Sequence, residues 1–508
     1  MFKGHPKGLI PASLANMGER FGFYTMMAIL VLFLQAKFGL SGTNAGYIYA
    51  AFYFSIYILA LVGGIIADRI KNYKGTILVG IIMMAAGYAI MAIPTPTPVS
   101  SVPIFLTISI IGLGVIAFGN GLFKGNLQAL VGQMYDNEKY EKMRDSGFSL
   151  FYAFINVGAI FAPFTAVGIR NWWLNSNGFS YDATLPEQCH TYLAGIMSEE
   201  NVNKYQEFAE NAAGGTITDL TGFSNAYLNV FNTGFHYAFG IAIIAMAISL
   251  VIYLANRKNF PNPKGTTTSG KVEITNEIKM EAKEVAQRMY ALLAVFGVVI
   301  FFWFSFHQNG LTLTFFARDY TVLKFGSWNI GAEIFQSMNP FFVVFLTPVI
   351  VGLFGWLRAR NIEPSTPKKI AIGMGIASIA FIVMAIGSVG LPLSSTISSA
   401  AGGVPLDEAQ KVTPYLLLGT YFILTVAELF ISPMGISFVS KVSPPQYQGL
   451  MQGGWLGATA LGNGLLFIGA ILYASIPIWM TWSIFVIATA ISMITVLSMT
   501  RWLERVAK

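Results

Sequence analysis

The chain has 508 residues, of which 55% are hydrophobic and only 11% are charged. A soluble domain carries about 25% charged residues, so this composition excludes a soluble globular protein and indicates a chain whose apolar surface is covered by lipid. The net charge of +7 does not indicate nucleic-acid binding, because the basic residues stand in short loops between apolar runs, where membrane proteins place them.

Twelve apolar runs along the chain are long enough to cross a bilayer, which takes about 20 residues in a helix. We therefore predict an all-α membrane protein with twelve transmembrane helices, and an even number of crossings places both termini on one side. The predicted spans lie near residues 12–36, 43–68, 75–94, 103–131, 145–169, 231–255, 287–316, 329–357, 369–391, 413–439, 447–473 and 476–500.

The distribution of basic residues predicts the orientation of these spans. With both termini in the cytoplasm, 23 of the 31 Lys and Arg residues fall on cytoplasmic segments. Two more, Arg20 and Lys124, lie within spans. The positive-inside rule therefore favours cytoplasmic termini. The six basic residues on the outer side are Lys37, Arg170, Lys204, Arg318, Lys324 and Lys411.

A polar, basic segment at 256–284 divides the spans into six and six. This predicts an N-terminal six-helix bundle over 1–255, a cytoplasmic linker over 256–284 and a C-terminal six-helix bundle over 285–508. Residues 171–230 are predicted to form a long external loop that is partly helical. Two bundles of six helices are the plan of the major facilitator superfamily, which this arrangement resembles.

The linker contains one misleading motif, GTTTSGK over 265–271. It resembles a phosphate-binding loop, but Val272 stands where that motif needs Ser or Thr, and no strand precedes it. No nucleophile elbow, metal-ligand cluster or carboxylate dyad is evident elsewhere. The chain is therefore predicted not to be an enzyme and to need no cofactor or metal.

Ionisable side chains within spans are energetically expensive and usually functional. Glu19, Arg20 and Lys124 give the N-terminal half a net charge of +1, and Glu428 with a neutral His307 gives the C-terminal half −1. A cavity between the halves would thus suit a zwitterion whose carboxylate faces the first half and whose ammonium faces the second. Three further acids near span ends are expected to be reached by water or headgroups, namely Asp68, Asp145 and Glu333.

Six motifs in register resemble those of the proton-dependent oligopeptide transporter (POT/PTR) family, a branch of the major facilitator superfamily. Their order along spans 1 to 11 makes the set far more specific than any one motif. They are NMGERFGFY at 16–24, GGIIAD at 63–68, GNGLFKGN at 119–126, FYAFINVG at 151–158, Asn339-Pro340, and AELFISPMG at 427–435.

The resemblance implies uptake of di- and tripeptides by proton symport, with the two bundles alternately exposing a midplane site. It implies that Lys124 binds the peptide carboxylate and Glu428 the ammonium. The other implied roles are hydrogen bonding beside Glu428 by Asn156, Asn339 and Ser432, side-chain pockets lined by Tyr24, Tyr57 and Trp455, and proton coupling by Glu19, Arg20 and Lys124. The expected partners are a small peptide and the lipid of a bacterial inner membrane, and the expected state is a monomer.

Three positions depart from the family pattern. Asn16 replaces the first Glu of the span 1 motif, Met27 replaces the Arg expected seven residues after Arg20, and His307 replaces an acid before Gln308. Position 16 faces position 20 on a helix, so Asn16 can only hydrogen-bond Arg20 where a Glu could pair with it. Because imidazole titrates near neutral pH, we hypothesise that His307 carries the coupled proton.

These departures leave other functions open. The first alternative is a transporter of the same fold for another small solute, or an uncoupled facilitator, and a substrate screen would identify it. The second is a receptor or membrane enzyme that moves nothing, and ligand binding without flux would identify it. In every transport model a charge pair, such as Glu19 with Lys124, is expected to break when substrate or a proton binds.

Overall fold

The computed structural model describes residues 4–136, 138–140, 143–261, 282–325, 328–398, 403–444 and 447–507. Within these residues the chain forms seventeen α-helices and one two-stranded hairpin. The helices are α1 (Leu9–Phe38), α2 (Gly42–Ile70), α3 (Tyr73–Ala92), α4 (Val102–Met134), α5 (Arg144–Ser176), α6 (Leu185–Leu193), α7 (Glu199–Ala213), α8 (Leu220–Ala255), α9 (Ala282–Phe306), α10 (Thr312–Tyr320), α11 (Met338–Ala359), α12 (Thr366–Gly387), α13 (Ser394–Ile397), α14 (Tyr415–Val442), α15 (Gln448–Gly464), α16 (Leu466–Ser475) and α17 (Ile478–Val506). The hairpin pairs β1 (Lys324–Phe325) with β2 (Trp328–Asn329).

Twelve helical segments of the described chain are long and apolar enough to cross a membrane, which confirms the predicted number of spans. Nine are single α-helices. The seventh consists of α9, a 3₁₀ segment and α10, the eighth of a 3₁₀ segment and α11, and the eleventh of α15 and α16. Polar caps set several helix ends. Ser41 accepts a hydrogen bond from Asn44 N at the start of α2, and Gly39 ends α1 with φ 65°, a conformation that glycine adopts without strain.

The first six spans pack against one another as one bundle, and the last six as another. Close contact within the first bundle depends on paired glycines of α2 and α4. A Cβ atom added to Gly63 would lie 2.1 Å from the carbonyl oxygen of Gly121, so only glycine allows the two backbones this approach. The Asn126 side chain then donates to the Gly63 carbonyl at 3.1 Å, which fixes α2 against α4.

Three spans of the second bundle are irregular near the middle of the protein. A 3₁₀ segment, His307–Gly310, separates α9 from α10, and another, Ala332–Ser337, precedes α11. The third irregular span is divided between α15 and α16. Irregular backbone inside a membrane needs internal hydrogen-bond partners, and the Tyr421 hydroxyl supplies one by donating to Asn309 O at 2.7 Å.

The two bundles meet where α2 packs on α15 and α16, and where α5 packs on α11 and the 3₁₀ segment before it. We call the face that holds the start of α1 and the end of α8 the terminal face, and the opposite one the distal face. The start of α3 and the end of α8 lie together on the terminal face, because Lys74 Nζ at the start of α3 donates a hydrogen bond to Arg257 O just after α8.

The distal face carries an insertion, residues 177–219, between α5 and α8, which contains α6 and α7. This corrects the predicted loop at 171–230, because α5 continues to Ser176 and α8 begins at Leu220. The core of the insertion contains Cys189, to which the buried Tyr205 hydroxyl donates at 3.3 Å. Burial raises the pKa of the Cys189 thiol to about 12.

Two predictions concern residues outside the described ranges. The phosphate-binding-loop motif at 265–271 lies entirely outside them, and so does most of the linker predicted at 256–284. The exact boundaries of the two bundles therefore stay predictions, although α8 ends at Ala255 and α9 begins at Ala282.

Candidate functional site

A cavity of about 280 Å³ lies between the two bundles at the middle of the spans. It opens toward the terminal face, where the lining residues Gln128, Tyr152 and Ile436 are exposed. Ten of the eleven predicted site residues line this cavity. They are Arg20, Tyr24, Tyr57, Lys124, Asn156, His307, Asn339, Glu428, Ser432 and Trp455.

Glu19 is the predicted site residue that does not line the cavity. It is fully buried and accepts hydrogen bonds from Arg20 at 2.5 and 2.7 Å and from Asn120 Nδ2 at 2.6 Å. The expected pair of Glu19 with Lys124 is therefore wrong in this state. The expected hydrogen bond from Arg20 to the Asn16 side chain is also absent among the described residues, because the Arg20 guanidinium donates to its sequence neighbour Glu19.

Lys124 projects from α4 toward α2. Its Nζ lies 4.4 Å from the centre of the Tyr57 ring, a cation–π contact that partly compensates for lost hydration. The close packing of α2 on α4 at Gly63 brings this ring to the lysine. Within the described part of the chain, Lys124 forms no ion pair and donates no hydrogen bond, so its charge remains available to a ligand.

Glu428 occupies the opposite wall, on α14. The Nδ2 group of Asn339 donates to Glu428 Oε2 at 2.8 Å and to Thr425 Oγ1 at 3.1 Å. Asn339 reaches this position from the first turn of α11, which begins at Met338. The following Pro340 is tolerated there because the first turn of a helix does not need its N–H group. The described residues offer Glu428 no cationic partner, so its contact is with a neutral amide.

His307 lies at the break between α9 and α10. Its Nδ1 is 2.5 Å from Asn463 Oδ1, which accepts the Nδ1–H hydrogen. The ring stacks on Trp303 at 4.8 Å and contacts the Tyr53 ring at 4.8 Å. A neutral imidazole that donates through Nδ1 carries its lone pair on Nε2. His307 therefore presents a hydrogen-bond acceptor from an aromatic wall.

The remaining predicted residues line the cavity, and none of them hydrogen-bonds to the Glu428 side chain in the described structure. Asn156 donates to the Tyr152 carbonyl of its own helix at 3.1 Å, and neither it nor Ser432 hydrogen-bonds to Glu428 in the described structure. Trp455 is wedged against Gly435, where an added Cβ would lie 1.9 Å from the indole. The side-chain-pocket role of Trp455 is thus compatible with its position but remains a prediction.

Comparison with known proteins agrees with these features. The model of the POT family matches residues 74–268 and 264–481, which is most of the chain. The chain belongs to the POT family. This is a family of transporters rather than of enzymes, and the chain is accordingly a multi-pass protein of the bacterial inner membrane.

Curated relatives of this POT-family chain span nearly all of it. Peptide transporter YePEPT of Yersinia enterocolitica is 28% identical over 91% of this chain and 87% of its own length. Dipeptide and tripeptide permease A of Escherichia coli is 26% identical over 90% and 82%.

Solved structures show the same fold. Peptide transporter POT in complex with sulfate has a TM-score of 0.73 at 22% identity and covers 100% of this chain and 96% of that one. A POT family transporter in complex with 5-aminolevulinic acid has a TM-score of 0.70 at 21% identity, with coverage of 100% and 98%.

Sequence reasoning missed several polar residues of this POT-family cavity. Tyr152 stands four residues before Asn156, on the same helical face, so the span 5 motif could have indicated it. Gln128 stands in the same way four residues after Lys124. The missed lining residues are Gln128, Tyr152, Asn309, Gln336 and Thr459.

A buried ion pair closes the distal side of the POT-family chain. Arg170 Nη1 on α5 donates to Glu333 Oε1 in the 3₁₀ segment before α11, and both side chains have 0% exposure. This corrects the prediction that water or headgroups reach Glu333, whereas Arg170 was predicted only to lie on the outer side. Since α5 and α11 belong to different bundles, the pair joins the two bundles.

Two weaker contacts support the closure on the distal side. Ser398 donates to the Glu187 carboxylate of α6, and Arg318 on α10 donates to Gln35 of α1 at 2.8 Å. Both contacts cross between the bundles. The cavity is therefore closed toward the distal face and open toward the terminal face.

Proposed function

We propose that this chain takes up di- and tripeptides by proton symport, through alternating access at the central cavity. One observation carries the proposal. Among the described residues, three charged side chains line the cavity, and Arg20 is neutralised by Glu19, whereas Lys124 and Glu428 have no charged partner there and belong to opposite bundles. The described part of the cavity thus offers one cation and one anion to a ligand.

A small peptide matches this arrangement chemically. Its carboxylate would bind Lys124, and its ammonium would bind Glu428 beside Asn339. At an effective dielectric constant of 20, unit charges 4 Å apart attract by about 4 kcal/mol, against about 1 kcal/mol in water. The aromatic wall that includes Tyr24, Tyr57 and Trp455 suits varied side chains. Relatives named as peptide transporters and permeases support this assignment.

The positive-inside count supports cytoplasmic termini, so the terminal face would be the cytoplasmic one. The structure would then be the inward-facing state. Return to the outward-facing state requires Arg170 to separate from Glu333 and α2 to rock on α15. We propose that the transporter acts as a monomer, because one chain contains the whole cavity.

The primary test is uptake of labelled dialanine by purified protein in liposomes, with and without an inward proton gradient. Accumulation above equilibrium is expected only with the gradient. Lys124→Ala is expected to reduce uptake about 10- to 100-fold, since a hydrogen bond to a charged group contributes about 1.5–3 kcal/mol. Gradient-independent equilibration would identify a facilitator, and no uptake by folded protein would direct attention to other solutes.

The proton-coupling role is proposed for His307, together with Glu19, Arg20 and Lys124. We expect His307→Gln to abolish gradient-driven accumulation of dialanine while downhill exchange of the peptide continues, because glutamine can hydrogen-bond Asn463 but cannot carry a proton. The measurement compares accumulation with counterflow in the same liposomes. Intact accumulation in this variant would exclude His307 as the carrier and leave Glu19 or Glu428.

The second candidate is a transporter of another small solute on the same fold. Met27 lines the cavity and is only 4% exposed. It favours the second candidate, because an apolar side chain there cannot help Lys124 to bind a peptide carboxylate. A screen of small zwitterions against dialanine, by competition for uptake, separates the two candidates.

A further inference from the structure

The insertion on the distal face contacts the ion pair that closes the transport path. Tyr181, in the segment between α5 and α6, places its ring centre 4.0 Å from the Cζ atom of Arg170. Phe231 and Phe235 of α8 flank the same guanidinium at 5.4 Å each. Tyr181 is itself buried and stacks on Phe231 at 6.0 Å. Arg170 therefore lies within a cage of aromatic rings, of which the insertion supplies the closest.

Contacts with the rest of the insertion and with α8 hold Tyr181 in place. The backbone N–H of Ser180 donates to Ala212 O at 2.7 Å, which ties this segment to the end of α7. On α8, the Tyr227 hydroxyl accepts from Asp182 N at 3.1 Å and donates to Ser180 O at 3.3 Å. The residues on both sides of Tyr181 are thus hydrogen-bonded, so its ring position depends on the folded insertion and on the contact of the insertion with α8.

Two glycines leave room for the buried ion pair, and two polar atoms of the pair lack hydrogen-bond partners. An added Cβ at Gly234 would lie 2.9 Å from Arg170, and one at Gly331 would lie 2.6 Å from Glu333 Oε2. In the described structure Arg170 Nη2 and Glu333 Oε2 have no hydrogen-bond partner. Such orphaned groups are costly when buried, and the aromatic cage offsets part of that cost for the arginine.

We propose that Tyr181 is a positioning residue of the distal gate, through which the insertion 177–219 stabilises the closed state. Tyr181 acts on Arg170, and Arg170 acts on Glu333 of the other bundle. The inference rests on the proposed alternating-access function. It predicts that the insertion is part of the transport cycle rather than a passive loop on the surface.

The physical reason is that the cation–π contact depends on the position of Arg170. When the bundles separate at the distal face, Arg170 loses Glu333 and gains access to water, and the ring then contributes little. A cation–π contact is stronger when it is buried than when it is exposed to water. The ring therefore favours the closed state over the open state.

The test measures access to the cavity from the distal face. A single reporter, Met27→Cys, is placed in a Cys189→Ala background and alkylated by a membrane-impermeant thiol reagent in vesicles of each orientation. Tyr181→Leu is expected to raise the distal labelling rate about fivefold to tenfold. Tyr181→Phe keeps the ring and is expected to remain within about twofold of its parent.

The matched control is Tyr192→Leu, which removes a tyrosine of the same insertion whose ring contacts Tyr205 at 5.2 Å and not Arg170. It is expected to label like its parent. Equal acceleration by Tyr192→Leu would mean general loosening of the insertion and would overturn the role of Tyr181, as would an unchanged rate in Tyr181→Leu. Tyr181→Met serves as the second ringless variant if Tyr181→Leu does not fold.

A parallel Glu333→Gln variant separates the two proposals. If it labels faster and Tyr181→Leu does not, the gate exists and Tyr181 is not part of it. If neither variant changes distal labelling while dialanine uptake is intact, the gate is located elsewhere. The inference about Tyr181 then fails, and the proposed transport function still stands. Absence of uptake in the parent would contradict the proposed function itself.

Discussion

Glu428→Gln is expected to remove the preference of the transporter for a free peptide ammonium. The parent should transport dialanine with a kcat/KM about 100-fold above that of N-acetyl-dialanine, and the variant should discriminate less than about threefold. The reason is that, among the described residues, the carboxylate has only the neutral Asn339 amide as a hydrogen-bond partner, at 2.8 Å, so the substrate ammonium supplies the positive charge that the carboxylate otherwise lacks nearby. Glutamine can still accept that amide hydrogen bond, which preserves the local structure.

The control tests the opposite end of the peptide, its carboxylate. Lys124→Gln should instead erase the preference for a free carboxylate over dialanine amide and leave the preference for a free ammonium. Glu363→Gln is the matched change outside the cavity, since Glu363 is partly buried and pairs with Arg358 and Lys369, and it should change neither preference. If Glu428→Gln retained the ammonium preference, the proposed zwitterion orientation would be wrong.

Single and double replacements of the distal ion pair are expected to act in opposite directions. Glu333→Gln leaves Arg170 buried without a charged partner, which costs about 3–5 kcal/mol in comparable pairs. That cost falls on the closed state and should shift the population toward distal opening, with a lower kcat. Arg170→Met with Glu333→Leu replaces the pair by apolar groups, which is often neutral or stabilising, and should hold the distal side closed.

Distal alkylation of the Met27→Cys reporter measures both effects. The rate should rise at least about tenfold in Glu333→Gln and fall below the parent in the double variant, while peptide uptake slows in both. The control is Glu363→Gln, because Glu363, in the connection between α11 and α12, pairs with Arg358 and Lys369 and takes no part in the distal contacts described above. Closure in both the single and double variants would show that the ion pair does not set the gate.

The sequence predicted the cavity better than the contacts around it. Lys124 and Glu428 were indicated as ionisable residues within spans, and Asn156 was implied by the family resemblance; the structure places all three on the cavity wall. The expected pairing of Glu19 with Lys124 was wrong in this state, because the partner of Glu19 is the adjacent residue in the sequence, Arg20. Side-chain rotation decides that contact, and residue spacing does not reveal it.

The distal gate could not have been predicted, because its members are 163 residues apart in the chain. Their association depends on how two bundles rest on each other, and no local pattern encodes that. Glu333 stands in a 3₁₀ segment, so helical periodicity does not show which way it points. The pair of His307 with Asn463 was missed for the same reason, since it joins two interrupted spans.

Complete burial of Arg170 and Glu333 also determines how the transporter responds to salt. Mobile ions screen exposed charges over about 8 Å at physiological ionic strength, but they cannot enter a chamber from which water is excluded. The closed distal gate is therefore expected not to respond to salt on the distal side. The same two charges are exposed to those ions once the bundles part, so salt on the distal side is expected to act on the open transporter alone.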